Sequence, residues 1–254
     1  MRGEQQVNTA EFGNNKAETI LLLHGGGLSW WNYREEAKLL QDEFHVVLPV
    51  LDGHAGSDRA FSSIEDNAAE IISYIDEKLG GSVQLIGGLS LGGQILLEML
   101  AQRKDICRCA MVESAAVIPS GLTNALIGPA FGSSYGLIKN RSFAKMQFRS
   151  LHMRQELFED YYRDTCRIEK TDMIAFLKAS TAYSLKGAVS QTQARVHVFA
   201  GEKESGTVLR SAEAICKAVP GSTKTLLPGL RHGEFSLNRP QDYVWTLREF
   251  TREE

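Results

Sequence analysis

Short apolar, β-rich runs recur along the chain at Thr19 to Leu23, His45 to Val50, Val83 to Ile86, Arg108 to Glu113, Arg195 to Ala200 and Thr223 to Leu227. Each is strand-sized, and stretches with helical spacing lie between most of them. In one of these stretches Ile64, Ala68, Ile71, Ile72, Ile75 and Leu79 fall on a single face. Ser62-Ser63-Ile64-Glu65 opens it in the manner of a capping box, and Gly80-Gly81 closes it as a C-cap. Strands alternating with helices of this length predict a mostly parallel central sheet flanked by helices, an α/β fold. Such sheets hold their ligands at the carboxyl ends of the strands.

The alternation fails between about 116 and 193, where helical patterns follow one another without a strand. Met173, Ile174, Phe176, Leu177 and Tyr183 mark one of them, Gly128-Pro129 and Gly132-Ser133-Ser134-Tyr135-Gly136 interrupt the segment, and Ser190-Gln191-Thr192-Gln193 ends it. We read 116–193 as an inserted helical cap, and 1–115 with 194–254 as the core that carries it. The cap's Phe, Tyr and Met residues serve one of two ends: they line a pocket for an apolar acyl or aryl group, or they seal the cap onto the core. No internal repeat or low-complexity tract interrupts this organisation.

With 254 residues, 43% of them hydrophobic, the chain can bury a sizeable core. A net charge of -3 gives no basic footprint for a phosphate backbone, so nucleic acid is not an expected partner. The first residues, Met1-Arg2-Gly3-Glu4-Gln5-Gln6, are polar and lead into no apolar stretch of signal-peptide length, and no later run reaches membrane-spanning length. A cytoplasmic location without membrane association is the resulting expectation, and self-association as a homodimer stays open. Cys107, Cys109, Cys166 and Cys216 match neither a zinc site nor a disulfide framework, and they are expected as free thiols.

The strongest chemical signal is Gly88-Leu89-Ser90-Leu91-Gly92-Gly93, between the run Val83 to Ile86 and an apolar helical pattern at Ile95, Leu96, Met99 and Leu100. A sharp strand-to-helix turn needs small flanking residues, and it lifts the serine hydroxyl above the sheet at a helix N-terminus, where unpaired N–H groups favour developing negative charge. Ser90 is the candidate nucleophile. The glycines of His24-Gly25-Gly26-Gly27, after the run Thr19 to Leu23, let backbone N–H groups approach a substrate. The N–H groups of Gly26 and Leu91 are the candidate oxyanion hole, with Gly27 able to add to it. A phosphate-binding loop is the competing reading, but no Walker Lys-Ser/Thr or dinucleotide spacing follows.

A serine needs a base, and the base needs a carboxylate to fix its tautomer. Among six histidines, His45 and His197 sit inside strands, His152 lies in the cap, and His24 and His54 belong to glycine-rich loops and read as structural. His232, in the loop after the last strand, is the candidate base. No aspartate occurs between Asp172 and Asp242, so an acid on the loop after Arg195 to Ala200 must be Glu204 or Glu202, with Glu204 favoured. Glu113, ending its own strand, is the reserve.

Taken together, Leu22-Leu23-His24-Gly25-Gly26-Gly27, Asp52-Gly53-His54-Ala55-Gly56-Ser57, Gly88-Leu89-Ser90-Leu91-Gly92-Gly93, Gly201-Glu202-Lys203-Glu204 and Leu230-Arg231-His232-Gly233 resemble the α/β-hydrolase superfamily, in that family's order and over roughly 18 to 250. The resemblance implies a serine hydrolase of the esterase-like branch, acting on an ester, thioester or related acyl substrate without metal or organic cofactor. It disfavours the dehalogenase and epoxide hydrolase branches, which attack with a carboxylate. Two departures stand out: glutamate replaces the usual aspartate at 204, and the usual Pro-Gly-His-Gly reads Asp52-Gly53-His54-Ala55. Rival expectations are a ligand-binding, receptor-like member with little turnover, and a same-fold lyase, haloperoxidase or carbon–carbon bond hydrolase.

Overall fold

Apolar residues run almost without interruption through the interior strands because both faces of the sheet are covered. The computed structural model describes residues 7–252, with the backbone alone at 131–134, so the polar start at 1–6 lies outside the described residues. Seven strands form one sheet: β1 (Thr9–Phe12), β2 (Thr19–Leu23), β3 (His45–Pro49), β4 (Val83–Leu89), β5 (Cys107–Glu113), β6 (Arg195–Gly201) and β7 (Thr223–Leu227). Their order is β1-β3-β2-β4-β5-β6-β7; β1 pairs antiparallel with β3 and every other pairing is parallel. The six expected strands are all present, and β1 is an addition at the sheet's edge.

Successive side chains of a strand point to opposite faces, and the core divides accordingly. Leu21, Leu23, Val47, Ile86, Val112 and Val198 join one cluster, packed against α2 (Ile64–Lys78), α3 (Leu91–Gln102) and α8 (Gly206–Ala218). Ile20, Leu22, Val46, Leu48, Leu85 and Met111 join the other, against α1 (Arg34–Leu40) and α10 (Pro240–Arg252). The helix expected from Ile64 onward is α2, but its cap sits one residue later than the pattern suggested. Ser63, not Ser62, is the N-cap, and its hydroxyl accepts from the Asp66 N–H.

Between β5 and β6 the chain is helical: α4 (Gly121–Ile138), α5 (Arg141–Ser150), α6 (Phe158–Thr165) and α7 (Lys170–Ala182), with short 3₁₀ turns at Gln155–Leu157 and Gly187–Gln191. These helices are tied down rather than free-standing. Ile138, Met173 and Phe176 enter the first cluster, and Ala144, Phe148, Phe158 and Tyr161 enter the second. Hydrogen bonds add to the packing, from Trp31 Nε1 to Asp164 Oδ2 at 2.8 Å and from Gln94 Nε2 to the Ser180 carbonyl at 2.9 Å. A short helix, α9 (Glu234–Asn238), follows the loop that carries His232. Among the described residues, no helix is long and apolar enough to cross a membrane.

Candidate active site

Four adjacent parallel strands deliver the candidate residues at their carboxyl ends: Ser90 after β4, Glu113 closing β5, Glu204 after β6 and His232 after β7. Ser90 has φ 53 and ψ -110, outside the regions comfortable for a residue with a side chain. Its N–H donates to the Glu113 carbonyl at 2.8 Å, and its own carbonyl accepts from the Gln94 N–H at 2.9 Å, which holds the turn in place. The strand and helix meet so closely that a Cβ at Gly88 would overlap the Gly92 carbonyl, and one at Gly92 would overlap the Leu23 carbonyl. The two glycines are therefore there for the close approach of backbone.

His232 Nδ1–H donates to Glu204 Oε2 at 2.8 Å. The side chain of Glu204 is 0% exposed and that of His232 51%, so the carboxylate lies beneath the ring and the ring faces the solvent-accessible side. The other carboxylate oxygen, Oε1, accepts from Ser114 Oγ at 2.6 Å and from the Gly201 N–H at 3.0 Å. Burial alone would raise the pKa of Glu204. The hydrogen bond and charge of His232, joined by the donors of Ser114 and Gly201, overcome that penalty and hold it below the ordinary carboxylate value.

The two alternative acids are engaged elsewhere. Glu202 Oε2 accepts from the Gly229 N–H at 2.9 Å. Glu113 Oε1 accepts from the Ser236 N–H at 3.3 Å, while its Oε2 has no partner among the described residues. Burial pushes the Glu113 pKa up to about 7, with Glu204 raising it further and the hydrogen bonding of Ser236 and the charge of His232 opposing. The folded protein thus keeps this proton where the unfolded chain, near 4.5, has released it. Stability that is full below the unfolded value falls as pH rises through that window. We expect Glu113→Gln to remove about 3 kcal/mol of this pH dependence while sparing activity. Denaturant melts of both proteins at pH 4 and pH 8 check this: equal slopes would refute it.

The N–H groups of Gly26, in the loop after β2, and of Leu91, at the start of α3, donate to no acceptor among the described residues. Gly27 is different from expectation. Its N–H donates to His54 Nε2 at 3.0 Å and is not available to a substrate, so its suggested part in an oxyanion hole is withdrawn. His54 can accept there because Nδ1–H donates to the Asp52 carbonyl, and because burial lowers its pKa to about 4 and keeps the ring neutral. The His24 ring, its pKa also lowered by burial, accepts at Nε2 from the Leu51 N–H. Both histidines hold the glycine loop, with His54 stacked on Phe176 at 4.5 Å.

A cavity of about 340 Å³ collects these elements. Ser90, His232, Glu204, Gly25 and Gly26 line it, with Leu28, Leu89 and Leu237 from the core and Ser150, Leu151, His152 and Met153 from the segment between β5 and β6. No hydrogen bond joins Ser90 Oγ to His232 among the described residues; the two share one wall. The larger aromatics between β5 and β6, Phe148, Phe158, Tyr161 and Phe176, are buried in the packing clusters, which favours packing over pocket lining as their role. His152 is exposed and also reaches the cavity. Ser114 and Asn32, whose Oδ1 accepts from the Gly25 N–H at 3.2 Å, had no signal in the sequence. The four cysteines are free, and among the described residues no three His, Cys, Asp or Glu side chains gather as a metal site.

A mostly parallel sheet wrapped by helices, with a serine on the strand-to-helix turn of its central strand, is an α/β-hydrolase fold. Residues 20–244 match the alpha/beta hydrolase family, and the chain belongs to that family. It is similar to Lipase 1 of Psychrobacter immobilis, 31% identical over 142 residues, an alignment that takes in 54% of this chain and 44% of the lipase. The chain therefore matches less than half the length of that relative. Among solved structures, a thermophilic esterase from Thermogutta terrifontis superposes with a TM-score of 0.77 at 19% identity, covering 97% of this chain and 93% of that one. The enol-lactonase from Burkholderia xenovorans LB400 gives 0.80 at 16% identity, covering 97% and 96%. At such identities the likeness speaks for the fold, and the relatives as a group are esterase- or lipase-like hydrolases.

Proposed function

We propose that this protein is a serine hydrolase of carboxylesterase type, cleaving an ester, thioester or related acyl substrate. The observation that carries the reading is the 2.8 Å hydrogen bond from His232 Nδ1 to buried Glu204, on the wall of the cavity that Ser90 also lines. With its Nδ1 proton committed, the neutral ring presents Nε2 as a base. His232 Nε2 takes the Ser90 Oγ proton as that oxygen attacks the acyl carbon. Charge developing on the carbonyl oxygen meets the N–H groups of Gly26 and Leu91, and the N-terminus of α3 supports it. Collapse of the intermediate expels the alcohol or thiol, protonated by the imidazolium, and leaves an acyl-Ser90 ester. Water, deprotonated by the same nitrogen, then releases the acid and restores Ser90.

The helical segment 116–193 acts in this reading as a cap over the site, since Ser150 to Met153 form part of the cavity wall. Leu28, Leu89, Leu151, Met153 and Leu237 give the cavity an apolar lining, which suits an acyl or aryl group of modest size. Related activities in neighbours, among them the esterase and the lactonase, point the same way. Incubation with an organophosphonate probe, followed by peptide mass mapping, tests the proposal. A single adduct on Ser90, with multiple turnover of short p-nitrophenyl esters, is expected. Absence of both in folded protein would favour the receptor-like alternative.

A further inference from the structure

Ser114 stands one residue beyond β5, is buried, and has φ 57. At that backbone angle glycine is at ease and a side chain costs energy, so serine there asks for a reason. Its contacts supply one. Ser114 Oγ donates to Glu204 Oε1 at 2.6 Å and accepts from the Gly233 N–H, adjacent to His232, at 3.4 Å. Its own N–H is fixed to the Phe199 carbonyl of β6 at 2.9 Å, and the preceding carbonyl, that of Glu113, receives the Ser90 N–H. One dipeptide thus braces the nucleophile's turn, the acid and the loop of the base.

We propose that Ser114 is a positioning residue for the reaction, acting through Glu204: its hydroxyl fixes the rotation of the carboxylate so that Oε2 stays aimed at His232 Nδ1. The assignment rests on the serine hydrolase reading above. Gly201 N–H is the only other described donor to Oε1, and without Ser114 the buried carboxylate is held on that side by one bond in place of two. A residue kept only for the bend would be replaceable by glycine at no cost, whereas one kept for its hydroxyl would not.

Ser114→Gly separates these cases because it relieves the backbone while deleting the oxygen. We expect its melting temperature to equal or exceed that of the parent, with kcat on a p-nitrophenyl ester down about tenfold or more, in line with loss of a hydrogen bond to a charged group. KM should stay within about twofold, as the hydroxyl does not hold the substrate. The low-field proton resonance of the His232 Nδ1–H···Glu204 bond should shift or broaden. Added to Glu204→Gln, the same change should cost almost nothing more, since its route is already cut. Parent-like kcat with an unmoved resonance, or a full loss on top of Glu204→Gln, would overturn the assignment. The resonance reads this bond whether or not esters are cleaved. Failure of the hydrolase reading would therefore show as an inactive parent with the spectral shift intact, distinct from failure of Ser114.

Discussion

Ser90→Ala is expected to lower kcat by about four orders of magnitude or more, with the fold intact and the organophosphonate adduct lost. The size follows from the absence of a substitute: no other hydroxyl is held on the turn between β4 and α3 beside the Gly26 and Leu91 N–H groups. Residual rate would come from water attacking a substrate that those groups still bind. Stability supplies a second reading of the same residue. Ser90 sits at φ 53, and alanine, which keeps a Cβ, keeps the strain. Ser90→Gly should abolish turnover as thoroughly yet raise stability by roughly 1 to 2 kcal/mol, visible as a higher denaturant midpoint at unchanged m. A site that stores strain for chemistry gains stability when the chemistry is removed. Equal stability in serine, alanine and glycine forms would show that the turn is not strained in solution.

The interior strands β2 to β5 were legible in the sequence because they are covered on two faces and are apolar almost throughout, as at Ile20 to Leu23 or Val46 to Leu48. The edge strand β1 was not. Its four residues, Thr9-Ala10-Glu11-Phe12, are at best half-buried, and their pairing with β3 is decided by the neighbouring strand rather than by their own pattern. In the segment between β5 and β6 helix was readable but its boundaries were not. The helix α4 contains Pro129 and several glycines, residues that suppress the periodic signal, and packing rather than propensity holds it.

For the candidate site the dividing line is between local and distant causes. Ser90 follows from a turn whose geometry is written into six consecutive residues, so the sequence could place it. His232 followed from its position beyond the last strand. The preference for Glu204 over Glu202 rests on which carboxylate tucks under the β6 end, and that placement comes from contacts with Ser114 and Gly201 that no spacing reveals. Gly27 misled for the matching reason: a glycine beside two others looks free, and only the fold shows His54 taking its N–H. Burial likewise removed Phe148, Phe158, Tyr161 and Phe176 from the pocket and left Leu151 and Met153 there.

Glu204→Gln carries the second large effect, and its direction comes from the donors around the carboxylate. Oε1 receives two hydrogen bonds, from the Ser114 hydroxyl and the Gly201 N–H. A glutamine that satisfies both must place its carbonyl oxygen on that side, which turns its NH₂ toward His232. The Nδ1 atom then has to accept, and the proton moves to Nε2, the nitrogen that takes the Ser90 proton in the proposed mechanism. Loss of the carboxylate also strips the imidazolium of its counter-charge. Together these should reduce kcat by about 10⁴-fold with little change in KM, the scale found when a buried acid of this kind becomes its amide. Glu202→Gln and Glu113→Gln, whose carboxylates bond to Gly229 and Ser236 instead, should each retain turnover within a few fold of the parent. If Glu204→Gln kept full activity while either of the others lost it, the acid would have been assigned to the wrong residue. The 2.8 Å contact with His232 would then mark support for the loop rather than a route for charge.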